Sequence, residues 1–272
     1  MDVNLLFAAV VAYFMSAAVA AVDLLTPRAG FKSAAIRFLW AGLVAHIGAI
    51  VSRTIAAGYP PITNSSESMS IVGLVIVAGF LALELRRPVG TLSVVISPIA
   101  FALTLGGYVF DQGVGQLPPN LQSALLPVHV LLAVLGNGLF TLAFAVSLAY
   151  LVQERRLKTK RLHWRLRLPP LEMLDRLNYR FLTWGLSLFT LAIVSGIVWA
   201  HLVWGRFWLG EPRLLWAGCT WVVYALVFQA RVTAGMRGRR AARLTILGFA
   251  TLVFSLIGGS VFAPGRHGGT FG

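Results

Sequence analysis

Long apolar runs alternate with short polar connectors along the chain, and this alternation outweighs every other pattern in it. Eight runs stand near 4–24, 35–56, 68–85, 91–109, 124–152, 181–203, 213–233 and 244–263. Most approach twenty residues, the length a helix needs to cross ~30 Å of hydrocarbon. Backbone polar groups inside lipid can bond only to one another, so each run is expected to be helical. The pattern predicts an all-α integral membrane protein of about eight transmembrane helices, built as a single polytopic domain over 1–272. No internal repeat is evident, which leaves a two-halves transporter without support.

Composition agrees. The chain is 58% hydrophobic and only 12% charged, about half the charged fraction of a soluble protein. Its net charge of +14 would suggest nucleic acid in a soluble chain. Here no basic stretch of domain size is interleaved with aromatics, so no nucleic-acid partner is expected. The excess instead follows the loops. Arg28, Lys32 and Arg37 follow the first run, Arg86 and Arg87 the third, a dense set from Arg155 to Arg180 the fifth, and Arg231 to Arg243 the seventh. The alternate loops hold Arg53, Arg206, Arg213 and Arg266. Basic residues collect on the cytoplasmic side, which places both termini on the non-cytoplasmic side of a multi-pass inner (plasma) membrane protein. The long connector 153–180 would favour anionic lipid headgroups. Asp2 stands where a signal peptide would carry basic residues, so the first run reads as a retained helix. The lone Cys219 offers neither a disulfide nor a CxxC pair.

Candidate chemistry lies in the histidines and tryptophans. His129, His201 and His267 fall on one side of the membrane, from different runs. They either converge on a metal or bond to headgroups and neighbouring loops as interfacial histidines do. His163 reads as a solvated loop residue. His46 sits near the middle of the second run, where a charge is costly, so it should be neutral and face the bundle. It either ligates a haem or hydrogen-bonds across helices. Arg53, two turns on along the same face, should reach the external interface. The stretch "WAHLVWGRFWLGEPRLLWAGCTW" packs Trp199, Trp204, Trp208, Trp216 and Trp221 around one short external loop. An aromatic belt is the ordinary source of interfacial Trp, but a belt is shared among many helices. A concentrated cluster makes an apolar platform suited to a large planar ligand, and Arg206 and Arg213 beside it could meet carboxylates as paired donors. Haem has that shape, two propionates, and an iron that accepts imidazole.

The segments "GYPPITNSSESMS", "LPPLEMLDRLNYRFLTWGLSLFTLAIVSGIVWA" and "WGRFWLGEPRLLWAGCTWVVYALVFQAR" are similar, the last almost position by position, to the CcsA-type cytochrome c assembly family, membrane proteins that handle haem beside a tryptophan-rich external loop. The resemblance runs from about His46 to the C-terminus. It implies that His129 and His267, flanking the loop, ligate haem iron, and that Trp204, Trp208, Glu211, Pro212, Trp216 and Trp221 occupy signature positions. His201 stands where the family commonly has Asn. Gly210 replaces a family Trp, Leu214 an acid, Gln229 a span histidine; Glu211 stands for Asp and Arg213 for Lys. The implied function is binding and presentation of haem b at the external face for covalent attachment to apocytochrome c. Other maturation subunits are implied as partners, and a role as haem-lyase component remains open. The departures favour an alternative, a regulator or assembly factor like the shorter HemX and YpjD relatives, without lyase activity.

Overall fold

The computed structural model describes residues 2–26, 30–111, 113, 123–159, 168–205 and 212–261; the side chains of Ser65, Trp204, Pro212, Arg213 and 256–261 lie outside that description. The described residues form eight α-helices and no strand. They are α1 (Val3–Leu25), α2 (Phe31–Ala57), α3 (Ser65–Arg86), α4 (Ser93–Val109, entered by a 3₁₀ turn at Gly90–Leu92), α5 (Leu125–Lys158), α6 (Leu171–Trp204), α7 (Pro212–Thr233) and α8 (Gly238–Val261). Seven of them, α1 to α7, are long and apolar enough to cross a membrane. The eighth opens on Gly238, Arg239, Arg240 and Arg243, and its described residues alone do not complete such a span.

Helix ends differ most from the sequence expectation at the connector 153–180. Its first residues continue α5 to Lys158, and its last ten belong to α6. The apolar pattern reports where hydrocarbon ends, not where the helix ends. Past that boundary Glu154 and Lys158 pair one turn apart at 2.8 Å and extend the coil. At α3 the helix starts earlier than the apolar run because Asn64 caps it, its Oδ1 accepting from the Glu67 N–H at 2.8 Å.

The chain divides into two compact units. The first comprises Met1–Gln122 and Val152–Met173. In it α1 packs on α2 and α4, and α3 packs on α4 and α2. Gly42 of α2 lets the Tyr13 ring lie directly against its backbone. The buried Ser16 hydroxyl donates to the Ala35 carbonyl at 2.9 Å and meets Ser97 Oγ at 2.8 Å, so one side chain ties α1 to both neighbours.

The second unit comprises Ser123–Leu151 and Leu174–Gly272. Its core holds Phe140, Leu182, Phe189, Tyr224, Val227 and Leu252. Phe140 and Tyr224 stack with centroids 3.7 Å apart. Within this unit α5 and α6 run antiparallel in an unbroken register. Along α5 the residues meeting α6 are His129, Gly136, Phe140 and Ser147; their partners on α6 are Gly196, Phe189, Gly185 and Asn178. Steps of seven, four and seven residues on one helix are matched by the same steps backwards on the other. That spacing keeps a single seam facing the partner helix. Two glycines allow the closest approach: a Cβ on Gly136 would lie 3.2 Å from the Phe189 nitrogen and 3.3 Å from the Gly185 carbonyl oxygen. Small residues at helix interfaces serve this purpose in lipid, where no hydrophobic force drives helices together.

Candidate functional site

His129 lies in the second turn of α5 and is half-buried. Its Nδ1 is 2.8 Å from the carbonyl oxygen of Ala192 on α6, and Ser195 Oγ stands 3.5 Å from the same nitrogen. A carbonyl oxygen can only accept, so Nδ1 carries the ring proton and the lone pair belongs to Nε2. The ring lies over Gly196, where a Cβ would sit 2.7 Å from Cε1 and 2.9 Å from Nδ1. This donor set fits a haem iron. Ligating imidazoles ordinarily bond through one nitrogen while the other donates to a carbonyl or carboxylate.

Trp221 of α7 reaches the same stretch of α6. Its Nε1 donates to Thr190 Oγ1 at 2.8 Å, two residues from Ala192, and its ring packs on the core of the second unit. Thus α6, over Thr190 to Gly196, holds one predicted site residue from α5 and another from α7. Trp216, one turn into α7 and 37% exposed, sets its edge against Phe254 of α8 with centroids 4.7 Å apart. Trp199 is buried within α6. His201 is half-buried in the last turn of α6. Gly205, at φ +68°, closes that helix behind Trp204, its N–H donating to the His201 carbonyl at 2.8 Å. Pro212 opens α7 at the first helical position, where its missing N–H costs nothing, and Arg213 follows it. Trp208, Glu211 and His267 lie outside the described residues, as do the side chains of Trp204, Pro212 and Arg213. Among the described residues, no three His, Cys, Asp or Glu side chains gather to hold a metal ion.

The first unit carries a separate polar chain. His46 is fully buried on α2; its Nε2 meets Ser70 Oγ of α3 at 2.7 Å, and its Nδ1 meets the Tyr13 hydroxyl of α1 at 3.4 Å. Of the two roles open to His46, the structure displays the hydrogen bonding across helices. Arg53, near the end of α2, is shielded there by its neighbours. It is 1% exposed and pairs with Glu67 Oε1 at 2.7 Å, while its guanidinium stands 5.3 Å from the Tyr59 ring centroid. A guanidinium stays charged when buried, so its desolvation must be offset by a counter-charge, and Glu67, three residues into α3, supplies one. Nothing in the sequence marks Arg53 and Glu67 as neighbours. The contributions of Thr190, Ala192 and Gly196 were equally unmarked: a backbone carbonyl and a glycine inside an apolar run carry no sequence signal.

Fold and site together define a polytopic helical membrane protein with an imidazole presented at one end of a helix bundle. The Cytochrome C assembly protein family matches residues 5–266, and the chain belongs to that family. Cytochrome c biogenesis proteins named CcsA are similar along most of their length. The one from Guillardia theta is 29% identical over 236 residues, covering 79% of this chain and 78% of its own. That of Microcystis aeruginosa is 28% identical over 312 residues, covering 96% and 93%. One from a Synechococcus strain is 30% identical over 295 residues, covering 83% and 84%. Among solved structures, the cytochrome c heme lyase CcmF shares the fold with a TM-score of 0.72 at 15% identity. The match takes in 93% of this chain but 45% of CcmF, so the chain spans under half of that protein's length.

Proposed function

We propose that the chain binds haem b at the external membrane face and presents it for covalent attachment to apocytochrome c. The observation that carries this reading is the His129 ring, tethered through Nδ1 to the Ala192 carbonyl so that Nε2 holds the lone pair an iron needs. His267 is the second axial ligand in this proposal, and Trp204, Trp208, Trp216 and Trp221 with Glu211, Pro212 and Arg213 form the surrounding platform. Trp221, fixed by Thr190, gives that platform one rigid wall. His201 stands at its edge. The family's cytochrome c assembly description and the names of the relatives support the assignment.

Haem supplies vinyl groups, and each thiol of a CxxCH apocytochrome adds across one of them, sulfur to one carbon and hydrogen to the other, with no net oxidation. The chain's own part is to hold the haem in one orientation, supply axial imidazoles and keep water away. Partner subunits would deliver the apocytochrome in reduced form, since Cys219 offers no redox pair. The proposal includes an inner-membrane location with both termini outside the cytoplasm, and the whole chain acting as one haem-handling domain.

The test is an absorption spectrum of purified protein, oxidised and reduced. A bis-histidine haem spectrum is expected, diminished in His129→Ala and in His267→Ala. An unchanged spectrum in both variants overturns the assignment. Nothing in the comparisons supports the HemX-like alternative; a deletion strain with normal covalent c-type haem would revive it.

A further inference from the structure

We infer that Gly196 and the Ala192 carbonyl form a seat that fixes which nitrogen of His129 meets iron. The inference rests on the reading of His129 as a haem ligand and adds to it the ligating atom, Nε2, and the residue that decides the ring's position, Gly196.

Three observations converge. The first is the 2.8 Å approach of Nδ1 to a carbonyl oxygen, which admits only one neutral tautomer. The second is the glycine beneath the ring. Any Cβ at position 196 would fall 2.7 Å from Cε1, 2.9 Å from Nδ1 and 3.5 Å from Nε2, so the imidazole lies where a side chain would otherwise stand. Gly196 is inside α6, not at an end, so no turn or cap explains it. Glycine is costly in a helix interior, and here the imidazole occupies the space that its missing side chain leaves. The third is Ser195, whose hydroxyl donates to the same Ala192 carbonyl at 3.0 Å and lies 3.5 Å from Nδ1. The carbonyl is thereby held as a shared acceptor for the ring.

The chemical consequence is directional. An Nδ1–H donating to a carbonyl makes the opposite nitrogen more basic and locks ring rotation. A more basic axial imidazole stabilises ferric over ferrous iron, so the tether lowers the haem potential as well as tightening binding. Ala192 and Ser195 are positioning contacts; they act on iron only through His129.

Two substitutions test this in the full-length protein, purified and titrated with haem. Gly196→Ala should favour the helix yet displace the imidazole. Haem affinity should fall roughly 10–100-fold, with the ferric electron-spin signal moving from low spin toward high spin while the helical circular dichroism stays intact. Replacing His129 by Nδ1-methylhistidine keeps the Nε2 lone pair and removes the donor. Low-spin ligation should persist, with weaker binding and a raised midpoint potential. Nε2-methylhistidine at the same position should abolish ligation. Should the Nε2-methylated protein bind haem normally and the Nδ1-methylated one not, the assigned atom is wrong. Unaltered affinity and spin state in Gly196→Ala, alongside loss in His129→Ala, overturns the seat while leaving His129 a ligand. Full haem binding in His129→Ala removes the ligand reading and the seat with it. If Gly196→Ala fails to fold, the two methylhistidines decide the question alone.

Discussion

Arg53 of α2 and Glu67 of α3 hold opposite charges 2.7 Å apart, with side chains 1% and 0% exposed. Glu67 is engaged on both oxygens: Oε1 accepts from Arg53, and Oε2 accepts from the Thr63 N–H at 2.9 Å and hydroxyl at 2.8 Å. Arg53 also donates to the Gly113 carbonyl at 3.3 Å. Two helices and the segment between them are thus fastened at one point.

Removing one member of this pair leaves a buried charge without compensation, at a cost of about 3–5 kcal/mol. Arg53→Met and Glu67→Gln are each expected to lower the thermal unfolding midpoint in detergent sharply. The double variant Arg53→Met/Glu67→Leu should recover most of the loss, since a well-packed apolar pair replaces an ion pair nearly without penalty. A double variant no better than the worse single one would show that the ions act independently.

Asn178 is the hub of the opposite kind of cluster, in the second unit. Its amide nitrogen lies 2.7 Å from Ser147 Oγ, 3.2 Å from Thr245 Oγ1 and 3.4 Å from the Ala143 carbonyl, and its oxygen accepts from Arg231 at 2.8 Å. Arg231 in turn pairs with Asp175 at 3.0 Å. One side chain therefore joins α5, α6, α7 and α8. Asn178→Leu should cost about 2–3 kcal/mol, because it strands a buried guanidinium donor, while Ser147 and Thr245 keep their bonds to the Ala143 and Ala241 carbonyls. Asp175→Asn, which keeps an acceptor for the Gly238 N–H, should cost less. Equal losses in a detergent unfolding series would contradict the ranking.

At Gly136 the neighbours are backbone atoms, which cannot swing aside. Gly136→Leu should part α5 from α6 and destabilise by about 1–3 kcal/mol or more. The same change at Gly218, where nothing lies within 4 Å of an added Cβ, should be tolerated. Comparable unfolding midpoints for the two variants would refute the close approach.

Orientation can be read by labelling on a Cys219→Ser background, since Cys219 is itself exposed. Pro60→Cys should react with a membrane-impermeant maleimide in intact spheroplasts, and Lys158→Cys only after permeabilisation. The reverse pattern inverts the topology.

Helix number and type were legible because an apolar run twenty residues long admits one backbone solution in lipid. The ends of α5 and α6 were not, since charged residues such as Glu154 and Lys158 continue a helix as readily as they leave the membrane. His46 was read as buried and neutral from depth alone, and it is buried; Tyr13 and Ser70 as its partners come from helices that sequence cannot pair. His129 stands out in the sequence only as one of three histidines on one side of the membrane, and the resemblance alone singles it out with His267 as an expected ligand. The His129 tether was not legible, because the acceptor is main chain and the seat is an absent side chain.

The seam between α5 and α6 has a consequence for tuning. Gly136 and Phe189 lie two turns from His129 and Gly196, in step along the same two rods. Sliding one rod by a single residue, ~1.5 Å, would offer the imidazole a different carbonyl or none. The tether of His129 is therefore calibrated from below, by a position whose whole contribution is a hydrogen atom in place of a methyl group.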